Sequence, residues 1–271
     1  MELAISKWVV DILYLICAIF YILFFVKQRL KIKAVLPAIL GISIISHFYY
    51  LVFLSKSLGR LPLGNVFEVL TTCMWLFALT YFFLELKISN KSLGTIIIPI
   101  IVILQTVSNV FINTSKELAP VLPHLTFEIH VITMLLAYSG FAISFIASLT
   151  YVLLSTEIQH RRLGFFFSRL PSLQLLDRLS NLAVSVGLVF ASAGIIIGFY
   201  MGSKVWESFW QWDPKFLSVF VTWIIYAVHF FTRNLSGWQG KRAAYVSIIG
   251  FNWVLFSFLI VSIFFTKIHS F

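Results

Sequence analysis

Leu, Ile, Val and Phe recur along the chain in blocks closed by Lys, Arg or Gly. Each block is about 17–25 residues long, the length at which a helix spans a bilayer core. Eight blocks are read, at residues 8–26, 35–54, 66–84, 95–111, 127–154, 182–201, 216–231 and 243–265. The pattern predicts an all-α, polytopic integral membrane protein with eight transmembrane helices. The first block is stopped by a basic cluster, Lys27, Arg29, Lys31 and Lys33, with no small-residue cleavage site after it. It is therefore expected to stay as a membrane anchor, not to leave as a signal peptide.

Composition agrees with the pattern: 60% of the 271 residues are hydrophobic and 11% charged, far from the balance of a soluble domain. Charge adds orientation, because cytoplasmic loops hold the Lys/Arg excess. With eight spans and both termini on one side, 13 of the 20 basic residues fall in loops of one face. That face is expected to be cytoplasmic, with both termini and the 205–216 segment on the other side. The net charge of +10 then reads as topology signal and contact with anionic lipid, not as nucleic-acid binding. Cys17 and Cys73 lie inside apolar spans and read as small buried hydrophobes. The chain has no C-x-x-C, no C-x-x-C-H, no Gly-rich phosphate loop and no H-E-x-x-H, so thiol exchange, covalent haem attachment to this chain and nucleotide cradling are not expected.

Three local patterns stand out from the spans. After Pro171, Leu173, Leu176 and Leu179 fall on one helical face, which predicts a separate interfacial helix before the sixth span. That span carries Gly187, Ala191, Gly194, Gly198 and Gly202 on one stripe, where either another helix approaches closely or a flat ligand lies. Among six histidines, His47 and His229 sit within spans, where an imidazole needs a partner, a metal or water. His130 is expected at the outer end of the fifth span and His269 at that of the eighth, with His124 and His160 in loops.

The densest chemistry is "VWESFWQWDPKF", residues 205–216, where Trp206, Trp210 and Trp212 put three of the chain's eight tryptophans within seven residues. Indoles favour the membrane interface, so an aromatic belt is one reading. A stacking platform is the other. On the expected topology His130, His269 and the strip meet at one membrane surface. Imidazoles facing each other across indoles suit a flat, apolar, iron-bearing macrocycle.

The strip "WESFWQWDPK" resembles the W-G-x-x-W-x-W-D-P-K of the CcsA (ResC) type of cytochrome c biogenesis protein, within the haem-handling group that shares a tryptophan-rich WWD domain. "LPLGNVFEVL" (61–70), "HVITMLLAYSGF" (130–141), "PSLQLLDRLS" (171–180) and "GWQGKRAAYVSIIGF" (237–251) are similar to segments of that family in the same order. The resemblance covers residues 61–271, leaving 1–60 as N-terminal transmembrane helices. It implies haem b, bound non-covalently outside the cytoplasm, with His130 and His269 as axial ligands to iron. It also implies Trp206, Trp210 and Trp212 as the stacking wall, and Asp213 and Lys215 as groups that shape the site or meet the propionates. The implied partners are a CcsB (ResB)-like membrane protein and apocytochrome c, whose C-x-x-C-H thiols would receive the haem, in a bacterial cytoplasmic membrane or a thylakoid. Family members carry a histidine in the span after the strip, so His229 is a candidate relay for haem, as is His47. His229 stands two residues earlier relative to Arg233 than the family pattern has it. Glu207 occupies the place of a usual glycine, and Phe216-Leu217 replaces the frequent Glu-Thr after the lysine. Shorter relatives resemble HemX, so the alternative expectation is a membrane regulator or scaffold linked to tetrapyrrole synthesis.

Overall fold

A computed structural model describes residues 2–88, 90–112, 125–161, 164–205 and 214–257, and among them there is no strand. Among the described residues eight α-helices follow in order: α1 (Glu2–Lys27), α2 (Leu30–Leu58), α3 (Val66–Ile88), α4 (Gly94–Phe111), α5 (Leu125–Gln159), α6 (Leu173–Val205), α7 (Pro214–Leu235) and α8 (Lys241–Phe256), with one 3-10 turn at Phe167–Arg169 before α6. Seven of them, α1 to α7, are long and apolar enough to cross a membrane. The eighth expected span, 243–265, is described as helix through Phe256, and its remainder lies outside the described residues. The chain is a multi-pass helical membrane protein.

Most helices overrun the apolar blocks that announced them, because a block marks only the hydrocarbon-facing length while helical hydrogen bonding continues into the polar flanks. The stop of α2 coincides with a breaker. Gly59 ends α2 in the left-handed region at φ 69°, its N–H donating to the Ser55 carbonyl. The separate interfacial helix expected after Pro171 is instead the first part of α6, which runs unbroken for 33 residues. Between Leu179 and the apolar block there is neither Gly nor Pro to stop it, and Leu176 and Leu179 are buried in the protein.

The chain divides into two compact units, Met1–Pro123 with Phe165–Pro171, and His124–Gly164 with Ser172–Phe271. This division by packing falls elsewhere than the 60/61 boundary of the family resemblance.

In the first unit α1 lies against α2 and α4, and α3 against α4 and α2. Several of its buried polar groups are paired between elements. The fully buried carboxylate of Glu85 accepts from Tyr21 Oη at 2.8 Å, Tyr81 Oη at 2.6 Å and Lys91 Nζ at 2.8 Å. Glu68 accepts both guanidinium nitrogens of Arg60 as well as Gly64 N–H and Asn65 Nδ2, which ties down the turn between α2 and α3. A buried charge inside apolar helices is tolerable on these terms only, with an opposite charge and donors for the remaining lone pairs.

The second unit is α5 to α8. Gly140 of α5 sits so close to α6 that a Cβ there would lie 2.7 Å from the Ala183 carbonyl oxygen and 2.8 Å from Gly187 N. Of the two readings of the glycine stripe, close helix approach is the one seen at this level. Phe141 stacks on Tyr226 of α7 with centroids 3.7 Å apart, and Ser144, Ser148, Ser180 and Ser247 join α5, α6 and α8 through hydroxyl contacts of 2.7–2.9 Å.

Candidate functional site

Three antiparallel neighbours decide which side chains share an end of the second unit. On α5 and α6, His130 meets Gly198 while Gly140 meets Gly187, so residue numbers rise in opposite directions. On α6 and α7, Phe199 meets Phe216 and Trp223 Nε1 donates to Ser192 Oγ at 2.9 Å. On α7 and α8, Trp253 Nε1 donates to the Ser218 carbonyl at 3.1 Å, and Tyr226 Oη to that of Ser247. The start of α5, the end of α6, the start of α7 and the far end of α8 therefore lie together.

His130 occupies the second turn of α5 at this end, partly buried. Its Nδ1 is 2.8 Å from the carbonyl oxygen of Gly194 on α6. A carbonyl only accepts, so Nδ1 carries a proton, and whenever the ring is neutral Nε2 is its unprotonated nitrogen. The tryptophan strip joins α6 to α7 at the same end: Trp206, Trp210, Trp212 and Asp213 lie outside the described residues, and Lys215 falls in the first turn of α7. His269 also lies outside them, in the segment that follows α8.

The opposite end of the unit is closed by charge. Arg233 of α7 makes two parallel bonds to Asp177 of α6, at 2.7 and 2.6 Å, and Asp177 also accepts Gly240 N–H at 3.1 Å. Bidentate geometry of this kind fixes both side chains as well as attracting them. Lys241 Nζ donates to Gln159 Oε1 nearby, 3.0 Å away.

The two histidines within spans differ in their surroundings. His229 on α7 is 1% exposed, and neither ring nitrogen has a hydrogen-bond partner of acceptable geometry. Arg233, Asp177 and the Ala243 backbone lie near it. His47 on α2, in the first unit, is held at both nitrogens: Nδ1 is 3.2 Å from Tyr14 Oη and Nε2 is 3.0 Å from Thr71 Oγ1.

The bonds beyond Thr71 fix the direction of that chain. Thr71 donates to Gln105 Oε1, Gln105 Nε2 to Asn109 Oδ1, and Asn109 Nδ2 to Asp11 Oδ1. With the Thr71 proton spent on Gln105, His47 Nε2–H must donate to Thr71, and Tyr14 O–H to Nδ1. Every donor points toward Asp11. Sequence reasoning missed this seam. Asp11, Gln105 and Asn109 each signal it as lone polar residues in apolar blocks, but their pairing joins positions up to 98 apart.

Residues 63–269 match the family model described as cytochrome C assembly protein. A curated relative, the cytochrome c biogenesis protein CcsA of Heterosigma akashiwo, is 27% identical over 259 residues, covering 83% of this chain and 80% of that one. The CcsA of Mesostigma viride is 29% identical over 234 residues, covering 78% and 77%. A solved structure of similar fold, cytochrome c heme lyase CcmF, superposes with a TM-score of 0.65 at 14% identity over 96% of this chain. The chain spans 47% of that protein's length. On the family match the chain belongs to the cytochrome C assembly protein family, and its likeness within that family is to the CcsA type of cytochrome c biogenesis protein.

Proposed function

We propose that this membrane protein serves cytochrome c biogenesis by holding haem b non-covalently at the His130 end of its second unit and offering it to the thiols of apocytochrome c. His130 and His269 act as axial ligands. Trp206, Trp210 and Trp212 cover the macrocycle, while Asp213 and Lys215 shape the rim and meet propionates. His229 serves as a relay within the membrane, and His47 is the second candidate for that step. The working side is the non-cytoplasmic face, where the basic residues are fewest, and a CcsB-like membrane protein is the partner.

The observation that carries this reading is the bond from His130 Nδ1 to the Gly194 carbonyl, 2.8 Å long. Histidines that ligate metals commonly give their other N–H to a backbone carbonyl, which sets the tautomer and aims the remaining lone pair. His130 has that arrangement, so its donor set fits an iron macrocycle. Haem is the cargo of this reaction and brings the vinyl groups that the thiols attack; the chain supplies orientation, shielding and a ligation that must also release. Exposure at a membrane surface suits release better than a sealed bundle core.

A reconstitution of the protein with a CcsB-like partner, haem and an apocytochrome c tests the proposal, read as covalent cytochrome c per unit time. His130→Ala is expected to lower the yield by at least tenfold. An unchanged yield would remove His130 from the delivery site.

A further inference from the structure

We infer that α6 provides a preformed seat for His130, in which Gly194 and Gly198 are positioning residues for the imidazole as well as packing positions. The inference rests on the proposed role of His130 as a ligand, and it concerns the state of the ring before haem arrives. Gly194 contributes its carbonyl, which holds the proton on Nδ1. Gly198, one turn further along α6, contributes the absence of a side chain. A Cβ at Gly198 would stand 2.9 Å from His130 Cε1, 3.2 Å from Nδ1 and 3.8 Å from Nε2. It would press hardest on Cε1, the carbon between the two nitrogens, and on Nδ1, while standing in ordinary van der Waals contact with Nε2.

The other glycines of the α5 and α6 contact behave differently. At Gly140 an added Cβ meets backbone atoms of Ala183 and Gly187, so a substitution there pushes the helices apart. At Gly194 it meets the flexible Met134, 2.6 Å from Sδ. Gly198 alone among these three meets the histidine. Two separate features of one helix, an acceptor and a gap, thus bear on the same ring: the Gly194 carbonyl selects the tautomer, and the space at Gly198 admits the ring in the orientation that makes that bond. A ligand fixed in advance loses less freedom on coordination, and removing such a support typically costs about 10–100-fold in metal affinity.

The first test needs no variant and no haem. In the apo-protein labelled with nitrogen-15 histidine and embedded in lipid, NMR reports the tautomer of each ring, with the His130 signals assigned by their loss in His130→Asn. Proton on Nδ1 is expected; proton on Nε2 in the wild type overturns the seat, even if His130→Ala still loses haem. The second test compares Gly198→Ala with wild type. The expected result is a mixed tautomer at His130 and haem affinity lower by about 10–100-fold. Retention of both the Nδ1 proton and full affinity in Gly198→Ala would reduce Gly198 to packing. A separate outcome, full haem binding by His130→Ala, would sink the ligand assignment itself, whatever the tautomer.

Discussion

His47 and His229 are both imidazoles buried among apolar helices, and they have opposite surroundings. His47 gives and receives a hydrogen bond in a seam of six side chains that crosses α1, α2, α3 and α4. His229 is as deeply buried, and its ring nitrogens make no bond of acceptable geometry, with the Ala243 backbone beside the ring. A polar group without a partner in the interior costs about 1–3 kcal/mol, and it gains nothing for the fold. The difference separates a histidine that holds helices together from one whose ring nitrogens make no well-formed hydrogen bond. It also separates the units: polar side chains of the first knit its interior, whereas those of the second are divided between a serine contact, a charged clamp at one end and the histidine end opposite.

Substitutions sharpen this contrast. The largest effect is expected at Glu85, where Glu85→Ala strands the buried Lys91 ammonium and two tyrosine hydroxyls. Loss of one partner of a buried ion pair typically destabilises by about 3–5 kcal/mol, to be read as a lower midpoint of thermal unfolding in detergent. A midpoint equal to wild type would mean that the first unit does not depend on its polar interior. His47→Leu comes next, since it leaves the Tyr14 hydroxyl without its acceptor and Thr71 without one of its two bonds. Interhelical bonds in membranes measure roughly 0.6–1.7 kcal/mol each, so losing two should cost about 1–3 kcal/mol. The smallest effect belongs to His229→Leu, which removes two unpartnered nitrogens and should leave the unfolding midpoint unchanged or slightly raised. Haem transfer by that variant is expected to fall while its stability holds. If His229→Leu unfolded as readily as His47→Leu, the two histidines would be alike and the contrast would fail.

How much of this was legible in the sequence follows from what a sequence can encode locally. Seven of the eight expected spans were legible because length and apolarity are local, whereas the glycine stripe left two readings open until Gly140 was seen against α6. The beginning of α6 was misread because a helical face of leucines after a proline looks the same whether it rests on lipid or on neighbouring helices. Leu176 and Leu179 take the second course. His130 could be singled out from its position and its resemblance, but not its acceptor, because Gly194 is 64 residues away and offers only a backbone carbonyl. The directed chain from Tyr14 to Asp11 was invisible for the same reason. Its members lie on four helices, and amide and hydroxyl side chains carry no sign of their partner's address. The tryptophan strip, by contrast, was the plainest signal in the sequence, and its two attachment points, the end of α6 and the start of α7, lie at the same end of the second unit as His130.

The central claim is that this end of the second unit binds haem through histidine. It is tested most directly by the absorption spectrum of the detergent-purified protein, oxidised and reduced, purified with and without a CcsB-like partner. A stoichiometric b-type Soret band with sharp α and β bands on reduction, lost in His130→Ala and in His269→Ala, is the predicted result. Spectra identical in wild type and both variants, or no bound haem in any preparation, would contradict it.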